Sequence, residues 1–177
     1  MIAEFIARQL EHRYRVLVRS LGHGLTEELA WKSMGGRPPI GWHASHVAEA
    51  MASAAEAIAL GPGGAKLSPT MEACAARRGA APAASALSTA PAQEATSYAT
   101  TGLPVLVAEV NRLSFLVLGA LKSLTDADLE RPPLVEVHPA FRSTLISRMV
   151  FLEGHLFHVT YHLGAIGLLR AEWRLEA

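Results

Sequence analysis

Cysteine is almost missing from this chain: its 177 residues hold one, Cys74. A lone thiol closes no disulfide within the chain and builds no cysteine-rich zinc site. The expected location is therefore a reducing cytoplasm. An excess of either charge is missing too, since 16 Lys and Arg stand against 16 Asp and Glu. With no basic surplus there is no footprint for a nucleic-acid backbone, and none for an anionic membrane surface. The opening Met-Ile-Ala-Glu-Phe carries an acid early and no long apolar core, unlike a secretory signal. Long hydrophobic runs are also lacking. The longest, Leu113 to Leu121, is interrupted by Ser114 and Gly119 and follows Arg112, which reads as too short to cross a bilayer. What remains is half apolar and 18% charged. That composition predicts one globular domain over residues 1–177 with a real core, not a disordered chain.

Apolar periodicity supplies the elements. Ile2, Phe5, Ile6, Leu10, Val16 or Leu17, and Leu21 recur at helical spacing, with charges between them and Gly22 and Gly24 as the stop. An acidic turn, Leu25-Thr26-Glu27-Glu28-Leu29, and Pro38-Pro39 precede a second helix from about Ile40 to Leu60. Gly61-Pro62-Gly63-Gly64 ends that helix. Residues 61–100 hold thirteen alanines, four prolines and five charges. They read as a long connector with one short helix around Met71 to Arg78, spanning the bundle or covering one end of it. A third helix runs from about Leu103 to Leu124, with Leu106, Val110, Leu113, Val117 and Leu124 as its stripe. Leu124-Thr125-Asp126-Ala127-Asp128-Leu129 and Pro132-Pro133 then echo the earlier turn and proline pair. The fourth helix is expected from about Ser143 to Arg170, with Ser143 or Thr144 as its N-cap. No segment alternates with period two, so no sheet is expected. Two helical hairpins packed into an all-α four-helix bundle satisfy this pattern.

Five of the eight histidines fall into two clusters about a hundred residues apart. His43 and His46 lie on the second helix; His155, His158 and His162 lie on the fourth. Neutral imidazole is the commonest protein metal ligand. Residues four apart on a helix are neighbours, so His158 and His162 suit two positions on one ion. His155 is one turn earlier on the same face, and either His43 or His46 serves as a ligand from across the bundle. A single helix-face histidine is more often a hydrogen-bonded core residue, but five in one bundle would each need a partner against desolvation. Glu49 either orients an imidazole, acts as an acid or base, or sits on a solvated face, and Glu153 has the same readings. Trp42 and Tyr161 either line a pocket or fill the core. Cys74 reads as a small apolar residue. His12, His23 and His138 read as surface or loop positions.

The run Ile40-Gly41-Trp42-His43-Ala44-Ser45-His46-Val47-Ala48 resembles the second-helix motif of the DinB/YfiT-like superfamily. His158-Val159-Thr160-Tyr161-His162-Leu163-Gly164-Ala165-Ile166, with Leu168-Leu169-Arg170 after it, resembles that family's fourth-helix motif. The resemblance covers nearly the whole chain outside residues 61–100. It implies an up-down-down-up bundle and a divalent metal, zinc or nickel, held by His46, His158 and His162. His43 and His155 match no ligand position and become pocket candidates, beside Trp42 and Glu49, which are candidates by their place next to the first cluster. Leu163 stands where a basic residue is common, and Ala165 where Gln is common, so the family's polar pair for substrate handling is not present here.

Three neutral imidazoles leave a doubly charged ion with an open position, the pattern of a catalytic site. With that open position, the family resemblance implies a metal-dependent, S-transferase-like enzyme or a hydrolase, activating a low-molecular-weight thiol, or water, against a small electrophile. The rival reading is a metal-containing binding or stress-response protein without turnover. The expected partner is a small molecule, and the resemblance adds a homodimer.

Overall fold

The computed structural model describes residues 1–69, 102–137 and 143–176, and among these the chain is helical, with one isolated bridge, Met34 to Arg37, in place of any strand. The short helix expected around Met71 to Arg78, together with Cys74 and His138, lies outside the described residues.

Helix α1 spans Ile2–Gly22 and buries Ile6, Leu10, Tyr14, Leu17 and Leu21, a single stripe at spacings of three and four. Leu17, not Val16, takes the inward position. The acidic turn is a one-turn helix, α2 (Glu27–Trp31), whose N-cap Thr26 accepts from the Leu29 backbone N–H. α3 covers Ile40–Ala55 and continues as a π-helical turn over Glu56–Leu60. That turn closes with the Gly61 N–H donating to the Glu56 carbonyl at 2.9 Å, and Gly61 has φ +71°, a conformation that favours glycine. α4 is Leu103–Lys122. α5 is Asp126–Leu129, where Thr125 and Asp128 form a reciprocal capping box. α6 is Arg148–Glu176.

Two expectations change. The last helix begins at Arg148, not near Ser143, and it runs beyond Arg170 to Glu176. Its first turn is capped by Ser147, whose Oγ accepts from the Val150 N–H at 3.3 Å. The Arg148 N–H donates to the Arg131 carbonyl at 2.9 Å, so a contact with the preceding loop sets the start. The extension is held by Trp173, which is buried, and by Glu172, which pairs with Arg37 at 2.6 Å. The second change concerns α4. By length and composition it is the one described helix long and apolar enough to cross a membrane, with a mean hydropathy of 1.5. Ser114 and Gly119 interrupt the apolar run without ending the helix, so the helix is longer than the run. In the fold its stripe of Leu106, Val110, Leu113, Val117 and Leu121 is buried in the core; Leu121, rather than Leu124, completes it.

Among the described residues, four long helices close a ring of contacts. α1 packs on α4 and α6, and α3 packs on the same two, so α3 and α6 face each other directly. Glu27 links the layers: one carboxylate oxygen accepts from Trp31 Nε1 at 3.0 Å, and the other from the Leu103 N–H at the N-terminus of α4 at 2.6 Å. Glu109, buried on α4, accepts from the Ser68 N–H and pairs with Arg112, which holds its carboxyl below the usual carboxylate range.

The start of α3 is set by a close approach. A Cβ on Gly41 would lie 2.7 Å from ring atoms of Trp31, so the indole of α2 packs on bare backbone one residue before Trp42. Gly41→Ala is expected to destabilise the protein by about 1–3 kcal/mol through overpacking. Urea unfolding measures this, and a change within about 0.5 kcal/mol, ordinary for a surface site, would show that Trp31 has room to move.

Candidate metal centre

His43 and His46 leave α3 on the side that meets α6, where His158 and His162 are one turn apart. The Nε2 atoms of His158 and His162 lie 2.9 Å from each other. One ring nitrogen from each of His46, His158 and His162 joins a group whose members all lie within 4.8 Å of one another. The ring centroids of His46 stand 4.8 Å from His158 and 5.0 Å from His162. Trp42 stacks on His46 at 5.3 Å and meets His43 edge-on at 5.1 Å, so one indole braces both rings of its own helix.

This donor set fits a borderline divalent ion. Nitrogens on zinc sit about 2.0–2.1 Å from the metal, so two on one ion are at most about 4.2 Å apart. The 2.9 Å pair already lies within that span, and the 4.8 Å group needs only a small closing movement of a half-buried ring. Burial lowers the His158 pKa, and the neighbouring His46 lowers it further. The ring is therefore neutral near pH 7, with a lone pair to offer.

The other expected residues take distinct places. His43 is buried, with Nδ1 2.8 Å from Nδ1 of His162; burial, with His46 beside it, pushes its pKa down to about 4. Glu49 is not on a fully solvated face. Its side chain is 25% exposed, and Oε2 lies 3.6 Å from Nδ1 of His46. His155 does not join the triad. It is buried, and its Nε2 lies 2.7 Å from the Tyr14 hydroxyl on α1. Burial, with His158 nearby, lowers the His155 pKa to about 3. Burial raises that of Tyr14, so the phenol keeps its proton and donates to a neutral ring. Tyr161 is 61% exposed, not a core aromatic, and meets His162 edge-on at 5.2 Å. Trp42 is half-buried, and Glu153, His12 and His23 are exposed. Leu163 is half-buried and packs against the core.

Tyr14 escaped the sequence reading. Its signal is present in the spacing Leu10, Tyr14, Leu17, Leu21, which puts a phenol in the middle of a core stripe, where its hydroxyl needs a partner.

No curated protein and no solved structure matches the chain. The family model of the DinB superfamily matches residues 7–166, a span that takes in all five clustered histidines.

Proposed function

The chain belongs to the DinB superfamily, and from that premise we propose that it is a divalent-metal enzyme whose ion, zinc or nickel, is held by His46, His158 and His162. The observation that supports this reading is the convergence of three imidazole nitrogens from two helices within 4.8 Å. An ion held by three neutral ligands keeps an open position, where it lowers the pKa of a bound thiol or water. The reading includes an up-down-down-up order of the long helices, a connector between the second and third of them, and a cytoplasmic setting.

The chain's own residues divide the remaining work. The Glu49 carboxylate favours the His46 tautomer with its proton on Nδ1, which leaves Nε2 as the lone-pair nitrogen. Trp42 and Tyr161 bring apolar surface to His46 and His162, which suits a small, weakly charged electrophile better than a phosphorylated one. The substrate chemistry that follows is transfer of the sulfur of a small thiol, or of a water oxygen, to that electrophile.

Metal analysis of the purified and the reconstituted protein tests the first half, with about one ion per chain expected for a three-ligand site. A protein that takes up no ion in either form would overturn it. A panel of small thiols and water against electrophilic acceptors, run on the loaded protein, tests the second half. Turnover that disappears on chelation is expected, and a flat response across the panel would assign a metal-binding protein without turnover.

A further inference from the structure

His43 and His162 meet through like nitrogens. Nδ1 of His43, on α3, lies 2.8 Å from Nδ1 of His162, on α6, and both side chains are buried. In such a pair one nitrogen carries the proton and the other accepts it. On its far edge His162 sets Nε2 2.9 Å from Nε2 of His158. A neutral imidazole has one N–H and one lone pair, so His162 donates on one edge and offers a lone pair on the other. His43 and His158 therefore compete over its tautomer.

Given the metal reading above, on which this rests, the competition has one outcome. Nε2 of His162 is the nitrogen that meets His158, so its lone pair belongs to the ion. The proton then sits on Nδ1 and points at His43. We infer that His43 is a positioning residue: its Nδ1 accepts the His162 Nδ1–H, which fixes the tautomer and rotation of that ligand ring. The reverse direction, with His43 donating, would put the His162 proton on Nε2 and aim an N–H at the place where the ion binds. The position of His43 is itself well braced, by burial and by the edge-on Trp42 ring at 5.1 Å. It is the neighbouring-group arrangement by which protein metal sites fix ligand tautomers, with an imidazole standing where a carboxylate or carbonyl commonly stands.

Two substitutions separate this role from packing. His43→Asn places a carbonyl oxygen on Cγ, where Nδ1 was, and keeps an acceptor. His43→Leu fills similar volume and accepts nothing. Zinc affinity by chelator competition is expected to fall about 10–100-fold in His43→Leu and to recover most of that loss in His43→Asn. Nitrogen-15 spectra of the zinc-loaded wild type, which report the protonation of each imidazole nitrogen, are expected to show the His162 proton on Nδ1 and a coupling across the hydrogen bond to Nδ1 of His43. Undiminished zinc affinity in His43→Leu would overturn the inference while leaving the metal centre standing, and so would a His162 Nδ1–H that shows no coupling to His43. That coupling decides the matter alone if the leucine variant does not fold. A wild type that takes no zinc at all overturns the metal centre, and this inference with it.

Discussion

Zinc at about a thousand times its Kd is expected to raise the thermal unfolding midpoint of the metal-free protein by roughly 8–16 °C. His46 is distant in sequence from His158 and His162 and meets them only when α3 packs on α6. An ion that binds the folded chain and not the unfolded one stabilises it by mass action, by about 4 kcal/mol at that ratio. In a chain of this length each kcal/mol moves the midpoint by about 2–4 °C. His158→Ala and His162→Ala each break the pair on α6, and both are expected to show almost no zinc-dependent shift. His46→Ala leaves that pair intact, so a smaller shift should survive in it. Differential scanning fluorimetry with and without zinc reads all four proteins. Equal shifts in the wild type and the three variants would mean that the ion binds elsewhere.

Acid is expected to destabilise the metal-free protein well before its carboxylates titrate. His155 and His43 have folded-state pKa values near 3 and 4, against an ordinary value of about 6.5 in the unfolded chain. Above pH 6.5 both states hold these rings neutral and the stability is fully present. As the pH falls below that, the unfolded chain binds protons that the folded protein refuses. Each ring then removes roughly 1.4 kcal/mol per pH unit, until the pH reaches its folded value. Two rings acting from about pH 6 to about pH 4 remove a large share of the 5–15 kcal/mol that holds a typical domain folded. The carboxyls of Glu109, Asp126 and Asp128 are held low by their hydrogen bonds, so their contributions are lost only further down, and with the same sign. Urea unfolding across pH 4.5–7 measures the slope. His155→Gln, which keeps an acceptor for Tyr14 but does not titrate, should remove about one proton's worth of it. A stability curve that stays level between pH 6.5 and 4.5 would show that water or movement relieves the buried rings.

How far the sequence could be read differs from element to element. α1 and the starts of α3 and α4 were legible within a residue or two, because each has an apolar stripe beside a glycine or proline boundary. The two capped turns were legible for the same local reason, a threonine three residues before an acid or a leucine. α6 was not. Ser143, Thr144 and Ser147 are all acceptable caps, and local chemistry does not rank them. The choice falls to Ser147 because Arg148 docks on the 131–132 segment, with its N–H on the Arg131 carbonyl and its Nε donating to the Pro132 carbonyl at 3.2 Å. At the far end, Arg170 does not finish the helix. It donates to the Ser20 and His23 carbonyls at the end of α1, and the helix continues past it.

The histidines divide along the same line. The sequence alone determined that His158 and His162 share a helix face, because four residues make about one turn. It also determined that His43 and His46 project within about 60° of each other, since three residues turn a helix about 300°. Which of that second pair joins the first is a property of the angle and depth at which α3 lies against α6: spacing left it open, the family resemblance implied His46, and the tertiary structure brings His46 to the pair. His46 enters the group with the facing Nε2 atoms, His43 meets the opposite edge of His162, and His155 turns to a tyrosine more than a hundred residues away in the chain. Intrahelical spacing is geometry that every α-helix shares, whereas the contact between two helices is set by how the whole core fills.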